Sequence, residues 1–159
     1  MIKNNDLPGT DVPDIVAWDD KYAIGITMID NQHRELISLT NELFRACLDG
    51  DEVLKDVFKE TMERMVDYVR FHFGAEQELL QRIRYPGYQE HKRQHDVLVL
   101  DILNAVKEYK EGKKFVPNQF VRTLRDWILS HIAYSDQLYA SYVVNQKQKG
   151  LLADHEING

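Results

Sequence analysis

Apolar residues recur along this chain in alternating steps of four and three, the spacing of a buried helical seam rather than of a strand. Between residues 51 and 84 the series is Phe58, Met62, Met65, Val69, His72, Glu76, Leu79 and Ile83. Between 88 and 111 it is His91, His95, Leu98, Ile102, Ala105 and Tyr109. An earlier stretch, from Asp30 to Asp49, sets His33 on one stripe with Leu36, Ile37, Thr40, Leu43 and Cys47. A later one, from Pro117 to Val144, lines up Phe120, Leu124, Trp127 and His131. The punctuation fits four helices. Asp30 is a good N-cap, Gly50 a stop, Tyr85-Pro86-Gly87 a strong turn, Gly112 a C-cap, and Pro117 a residue favoured in a first helical turn.

Short connections make consecutive helices antiparallel. The pattern therefore predicts an all-α, antiparallel up-down-up-down four-helix bundle with an N-terminal arm. The expected divisions are a flexible arm over 1–17, the bundle over 18–144 and a polar, fraying tail over 145–159. Trp18 to Ile29 is irregular and contains Gly25; it is expected to pack Trp18 and its isoleucines against the bundle end.

Composition narrows the function. The chain has 159 residues, enough for one domain with a real core, and its formal net charge is -6. An acidic chain is a poor ligand for nucleic acid, which needs clustered Lys and Arg, and for anionic lipid. No segment reads as a signal peptide or a membrane span, so a cytoplasmic location is expected, with no nucleic-acid or membrane partner; the sequence leaves the protein partner unknown. The single cysteine, Cys47, excludes an internal disulfide and a Cys-rich metal site; it reads as a small apolar helix residue.

The polar residues on the seams carry the chemistry. Five histidines and Glu76 interrupt positions that should be Leu, Ile, Val, Phe or Met, and Asp136 lies close by. Burying these groups unpaired would cost several kcal/mol each. In an antiparallel bundle the start of helix one, the end of two, the start of three and the second half of four share a level. At about 1.5 Å per residue, His33, His72, Glu76, His91, His95, His131 and Asp136 fall within a band roughly ten to fifteen Å deep. His72 and Glu76 are four apart, as are His91 and His95, so each pair shares a helix face. His131 and Asp136 are five apart, which swings Asp136 toward a neighbouring face, as suits a carboxylate reaching across to bridge two metals. His155, in the polar tail, has no partner spacing and is expected to be solvated.

On these residues the sequence resembles the hemerythrin family, and its single-domain bacterial members in particular. The matching pieces are Ile-Asp-Asn-Gln-His at 29–33, His-Phe-Gly-Ala-Glu at 72–76, His-Lys-Arg-Gln-His at 91–95 and His-Ile-Ala-Tyr-Ser-Asp at 131–136. One departure is Gln77, which stands between Glu76 and Glu78. The resemblance implies two iron ions per chain (Fe2+/Fe3+) joined by an oxo or hydroxo bridge. His91, His95 and His131 would hold one iron, His33 and His72 the other, and Glu76 and Asp136 would bridge both. One coordination position would then stay open on the His33/His72 iron, for dioxygen. The resemblance also implies an oxygen pocket lined by Leu36, Phe73, Trp127 and Ile132.

The function expected is reversible dioxygen binding, without catalysis, for storage, transport or delivery. A histidine-rich site favours this over the oxidative chemistry of the carboxylate-rich di-iron bundles, which use Glu and Glu-x-x-His. The alternatives are oxygen or redox sensing, which would need an output module that 159 residues leave little room for, and a peroxidase, nitric-oxide or iron–sulfur repair activity. The repair proteins typically carry His-x-x-x-Glu on the fourth helix, where this chain has His-x-x-x-x-Asp.

Overall fold

In the computed structural model, residues 13–48, 52–112 and 117–158 are described, and among them every regular element is helical. A 3-10 turn, Asp20–Tyr22, precedes the helices α1 (Thr27–Leu48), α2 (Glu52–Arg82), α3 (Tyr88–Lys110) and α4 (Pro117–Ser130). A π-helical turn, His131–Asp136, leads straight into α5 (Gln137–Gln148), and a short α6 (Asp154–Asn158) closes the chain. The stop expected at Gly50, the helix limits at Asp49 and Asp51, and positions 1–12 of the arm lie outside the described residues.

The helices are antiparallel, as side-chain pairs show. Between α1 and α2, Arg64 bonds Glu42 while His72, further along α2, meets Gln32 at the start of α1. Between α2 and α3, Lys110 pairs with Glu63 and Tyr88 with Gln81. Between α3 and the last long rod, Gln94 accepts from Ser135 and His95 meets His131. The ring closes where α1 packs on α4, with Arg122 over Phe44.

Two apolar clusters fill the interior. The larger includes Leu36, Leu43, Met62, Met65, Val69, Leu98, Ile102, Leu124 and Ile128. The smaller gathers Ile24, Ile26, Ile29, Leu79, Leu80, Ile83, Tyr139, Val143 and Ile157. The predicted seams thus form the core, and the isoleucines after Trp18 close one end. Cys47 is half-buried and donates to the Leu43 carbonyl at 3.0 Å; burial pushes its thiol up to about 12, which suits an inert helix residue rather than a nucleophile.

Three local expectations are revised. Asp30 is not the N-cap: α1 begins at Thr27, and the buried Asp30 carboxylate reaches back to accept from the Ile24 and Gly25 amides at 2.8 and 3.1 Å. That grip holds the turn at Gly25, whose φ of 81° suits a residue without a Cβ. The tail does not fray after Val144. The helix continues to Gln148 and ends at Gly150, which has φ 68° and N–H bonds from Gly150 to Lys147 and from Leu151 to Gln146. Ile157 of α6 then inserts into the smaller cluster against α2, a contact that a composition rich in polar residues conceals. The arm, finally, is anchored over its described part: Asn41 bonds both the amide and the carbonyl of Val16, at 3.1 and 2.8 Å, and Arg45 pairs with Asp14.

Replacing Asp30 with Ala removes two charge-assisted bonds from a buried turn. Urea unfolding should show a loss of about 1.5–3 kcal/mol, and a loss below the error of the fit would show that the grip contributes nothing.

Candidate metal centre

The seven polar residues singled out on the seams meet between the two apolar clusters, and none is more than 6% exposed. Each comes from the helix level expected of it: His33 from the start of α1, His72 and Glu76 from the end of α2, His91 and His95 from the start of α3. His131 and Asp136 come from the π-turn. On an ordinary α-helix, residues five apart point about 140° away from each other. The π-turn, with its wider i to i+5 bonding, cancels that offset. Asp136 is therefore not swung to a neighbouring face as the spacing suggested; it lies on the same inward face as His131, with Oδ1 3.1 Å from His131 Nε2.

Donor atoms fall into two groups that share Glu76. Glu76, His91, His95 and His131 form one, and His33, His72 and Glu76 the other; within each, the ligand atoms lie within 4.8 Å of one another. Glu76 Oε2 is 3.0 Å from Nε2 of both His91 and His95. Asp136 also faces both groups, with Oδ2 3.2 Å from His33 Nε2 and Oδ1 3.4 Å from His91 Nε2. The geometry is that of atoms aimed at common points rather than at one another. Both Asp136 oxygens and both His33 ring nitrogens are buried without a properly directed hydrogen bond. The Nε2 atoms of His95 and His131 approach to 2.9 Å, a separation two lone pairs tolerate only around a shared proton or cation. Imidazole and carboxylate donors of this kind suit iron and other borderline transition metals.

Electrostatics agree. Burial drives the His72 imidazole down to about 3, against the pull of Glu76, and burial lowers His95 as well. Burial alone would raise the Glu76 carboxyl, but hydrogen bonds from His91 and His95 outweigh it and hold the group well below its usual range. Burial opposes the charged form of His91 too, yet its bond to Glu76 raises it. Neutral imidazoles beside ionised carboxylates are the states that bind a cation.

Sequence reasoning missed the residues that orient these donors. Gln32 Oε1 accepts from His72 Nδ1 at 2.8 Å, which turns Nε2 toward the cluster. The Gln77 amide meets His95 Nδ1 at 3.2 Å, so the departure noted at this position has a place in the site. Tyr139, fully buried, donates to Glu76 Oε1. Such partners fix ring orientation and tune donor strength. A signal existed for one of them: Tyr139 stands three residues beyond Asp136, about one helical turn from a ligand-type residue.

The four residues expected to line an oxygen pocket divide. Leu36 and Ile132 are buried in the larger cluster. Phe73 lies flat on His95, with centroids 3.6 Å apart and planes 2° apart, and Trp127 flat on His131 at 4.6 Å and 10°. These two rings therefore cover the three-histidine group. Grooves of about 440 Å³ flank α3 there, one reaching His131 beside Trp127 and Tyr134, the other reaching His95 beside Phe73 and Gln77. His155 is exposed, away from the cluster, as expected.

An antiparallel bundle with a buried histidine–carboxylate cluster at one end defines a class of cation-binding helical proteins. The hemerythrin HHE cation binding domain matches residues 24–143, and the chain belongs to the hemerythrin family. It is 31% identical over 129 residues to the bacteriohemerythrin of Stenotrophomonas maltophilia, covering 81% of this chain and 82% of that one. It is 28% identical over 130 residues to the hemerythrin-like protein of Naegleria gruberi, covering 82% and 95%. A crystal structure of wild-type hemerythrin superposes with a TM-score of 0.75 at 26% identity, covering 80% of this chain and 96% of that one.

Two outcomes follow for the metal-free protein. His72 is depressed in the fold from 6.5 to about 3, so below its unfolded value the unfolded chain holds the extra proton and folding weakens. Burial-lowered His95 acts in the same direction and His91 against it. The urea midpoint should therefore fall as pH drops from about 6.5 toward 3, and His72→Gln should flatten that fall; an unchanged slope would contradict the assignment. Tyr139→Phe should cost about 1.5–3 kcal/mol in the same assay, and a silent substitution would show that the phenol does not support Glu76.

Proposed function

We propose that this protein binds dioxygen reversibly at a pair of iron ions, as an oxygen store, carrier or delivery protein. The observation that carries the reading is the uneven division of donors. Three histidines serve one group and two the other, with Glu76 in both groups and Asp136 facing both. His91, His95 and His131 would hold one ion, His33 and His72 the second, and Glu76 and Asp136 would bridge them. The second ion is then one protein donor short, which leaves a position for an external ligand.

Iron held by these residues would supply the electrons that bind dioxygen and take them back on its release. The surrounding residues keep the exchange reversible. Gln32 turns His72 toward the centre, and Tyr139 donates to Oε1 of Glu76 and fixes that carboxylate. Phe73 and Trp127 cover the His95 and His131 rings, and the apolar clusters on either side exclude water that would otherwise compete for the site. Only two carboxylates enter the set, fewer than in the bundles that use Glu and Glu-x-x-His for oxidative chemistry. The names of the bacterial relatives point the same way.

Metal analysis and visible spectroscopy of the purified protein test this. About two irons per chain are expected from the two donor groups, with an absorption band that appears when the reduced protein meets oxygen and vanishes when oxygen is removed. Absence of iron overturns the site; iron that oxidises without a reversible band overturns oxygen binding. His72→Ala should abolish the band, while His155→Ala should leave iron content and spectrum unchanged.

A further inference from the structure

Four of the eight tyrosines of this chain collect at the site end of the bundle, within or against the smaller apolar cluster. Three form a chain leading outward. Tyr139 begins it, fully buried, bonded to Glu76 and edge-on to His91 at 5.5 Å. The ring of Tyr85 follows, with its centroid 6.2 Å from that of Tyr139 and the planes at 67°. Tyr142 comes third, 5.5 Å from Tyr85 at 64°. Tyr142 is half-buried and tied by its hydroxyl to the carbonyls of Ile83 and Arg84, at 3.2 and 3.3 Å, so the outer end is held in place at the turn after α2. This path leaves the centre on the side of α2 and α5, apart from the grooves that flank α3.

We propose that Tyr139, Tyr85 and Tyr142 form a route for one-electron oxidising equivalents, carrying them from the centre to the surface when a peroxide reacts there. Among side chains phenols are readily oxidised by one electron, provided the proton has somewhere to go. At Tyr139 the existing hydrogen bond offers Glu76 Oε1. Tyr139 gives up an electron toward the centre and its proton to Glu76. An electron from Tyr85 then refills Tyr139, the proton returns from Glu76, and Tyr85 releases its own proton to solvent. Tyr142 refills Tyr85 in turn, Tyr85 takes a proton back from solvent, and Tyr142 releases one. An external one-electron donor of the ascorbate class, with a proton, restores Tyr142. Each passage carries one electron inward and releases one proton to solvent from Tyr142; two passages, with two protons taken up from solvent at the centre, break the O–O bond of one peroxide to leave two waters, and the donor is oxidised twice. The benefit to an oxygen-binding site is that damage leaves through replaceable surface groups instead of falling on the histidines.

The inference rests on the iron reading, so iron content and the oxygen-dependent band are measured first, in each variant. Iron-loaded protein is then mixed with hydrogen peroxide, frozen for electron paramagnetic resonance, and digested for mass spectrometry. A tyrosyl signal is expected, with oxidation mapped to Tyr142 and Tyr85. Tyr85→Phe should leave iron and band unchanged, reduce Tyr142 oxidation to the level of the metal-free control, and raise oxidation of the ligand histidines several-fold. Tyr142→Phe should shift the modification to Tyr85. Normal iron and band together with undiminished Tyr142 oxidation in Tyr85→Phe would overturn the route, because the tyrosine would then be reacting with radicals from solution. Modification confined to Trp127 and Tyr134, or no tyrosyl signal, would overturn it as well.

Discussion

The constraint on which this structure depends is the desolvation of five imidazoles and two carboxylates in one layer of a helical bundle. A buried ionisable group without compensation is far more costly than any single apolar contact is favourable. The bundle meets that cost by convergence. Donors from α1, α2, α3 and the π-turn reach one place only when all the helices have assembled in the correct register, so the layer specifies the fold as much as the fold builds the layer. Apolar clusters on both sides then keep the layer dry, and Gln32, Gln77 and Tyr139 occupy donor and acceptor positions that the cluster itself leaves over.

Much of this was legible in the residue pattern. Steps of four and three located the seams, and polar residues standing on those seams identified the layer, because a histidine at a leucine position needs a reason. Features set by backbone geometry rather than by residue type were not legible. The π-turn at His131–Asp136 has no composition of its own, so the five-residue spacing reads as a swing to another face when the backbone in fact widens to undo it. Asp30 looks like a cap because its residue type caps helices; its actual work is to hold Ile24 and Gly25, which depends on where the preceding chain goes. Ile157 is one apolar residue in a polar run, and its burial becomes visible only once α6 is seen folding back on α2.

Identity to the Stenotrophomonas protein is modest, at 31%. Surface positions can drift with little effect on a site whose donors all lie inside. Gln77 illustrates the intermediate case. It borders a groove and touches a ligand-type histidine, so it is accessible enough to vary and close enough for variation to alter His95 as a donor.

The placement of the polar layer between two hydrocarbon layers has a geometric consequence. The centre is sealed along the bundle axis in both directions, by the larger cluster on one side and the isoleucines, Tyr139 and Ile157 on the other. The grooves that reach its histidines open sideways, on either flank of α3. On those flanks two stacked rings, Phe73 on His95 and Trp127 on His131, stand between the imidazoles and the gaps between helices. Access to the three-histidine group thus depends on side-chain packing at two lateral helix gaps, not on the hydrocarbon layers stacked along the bundle axis.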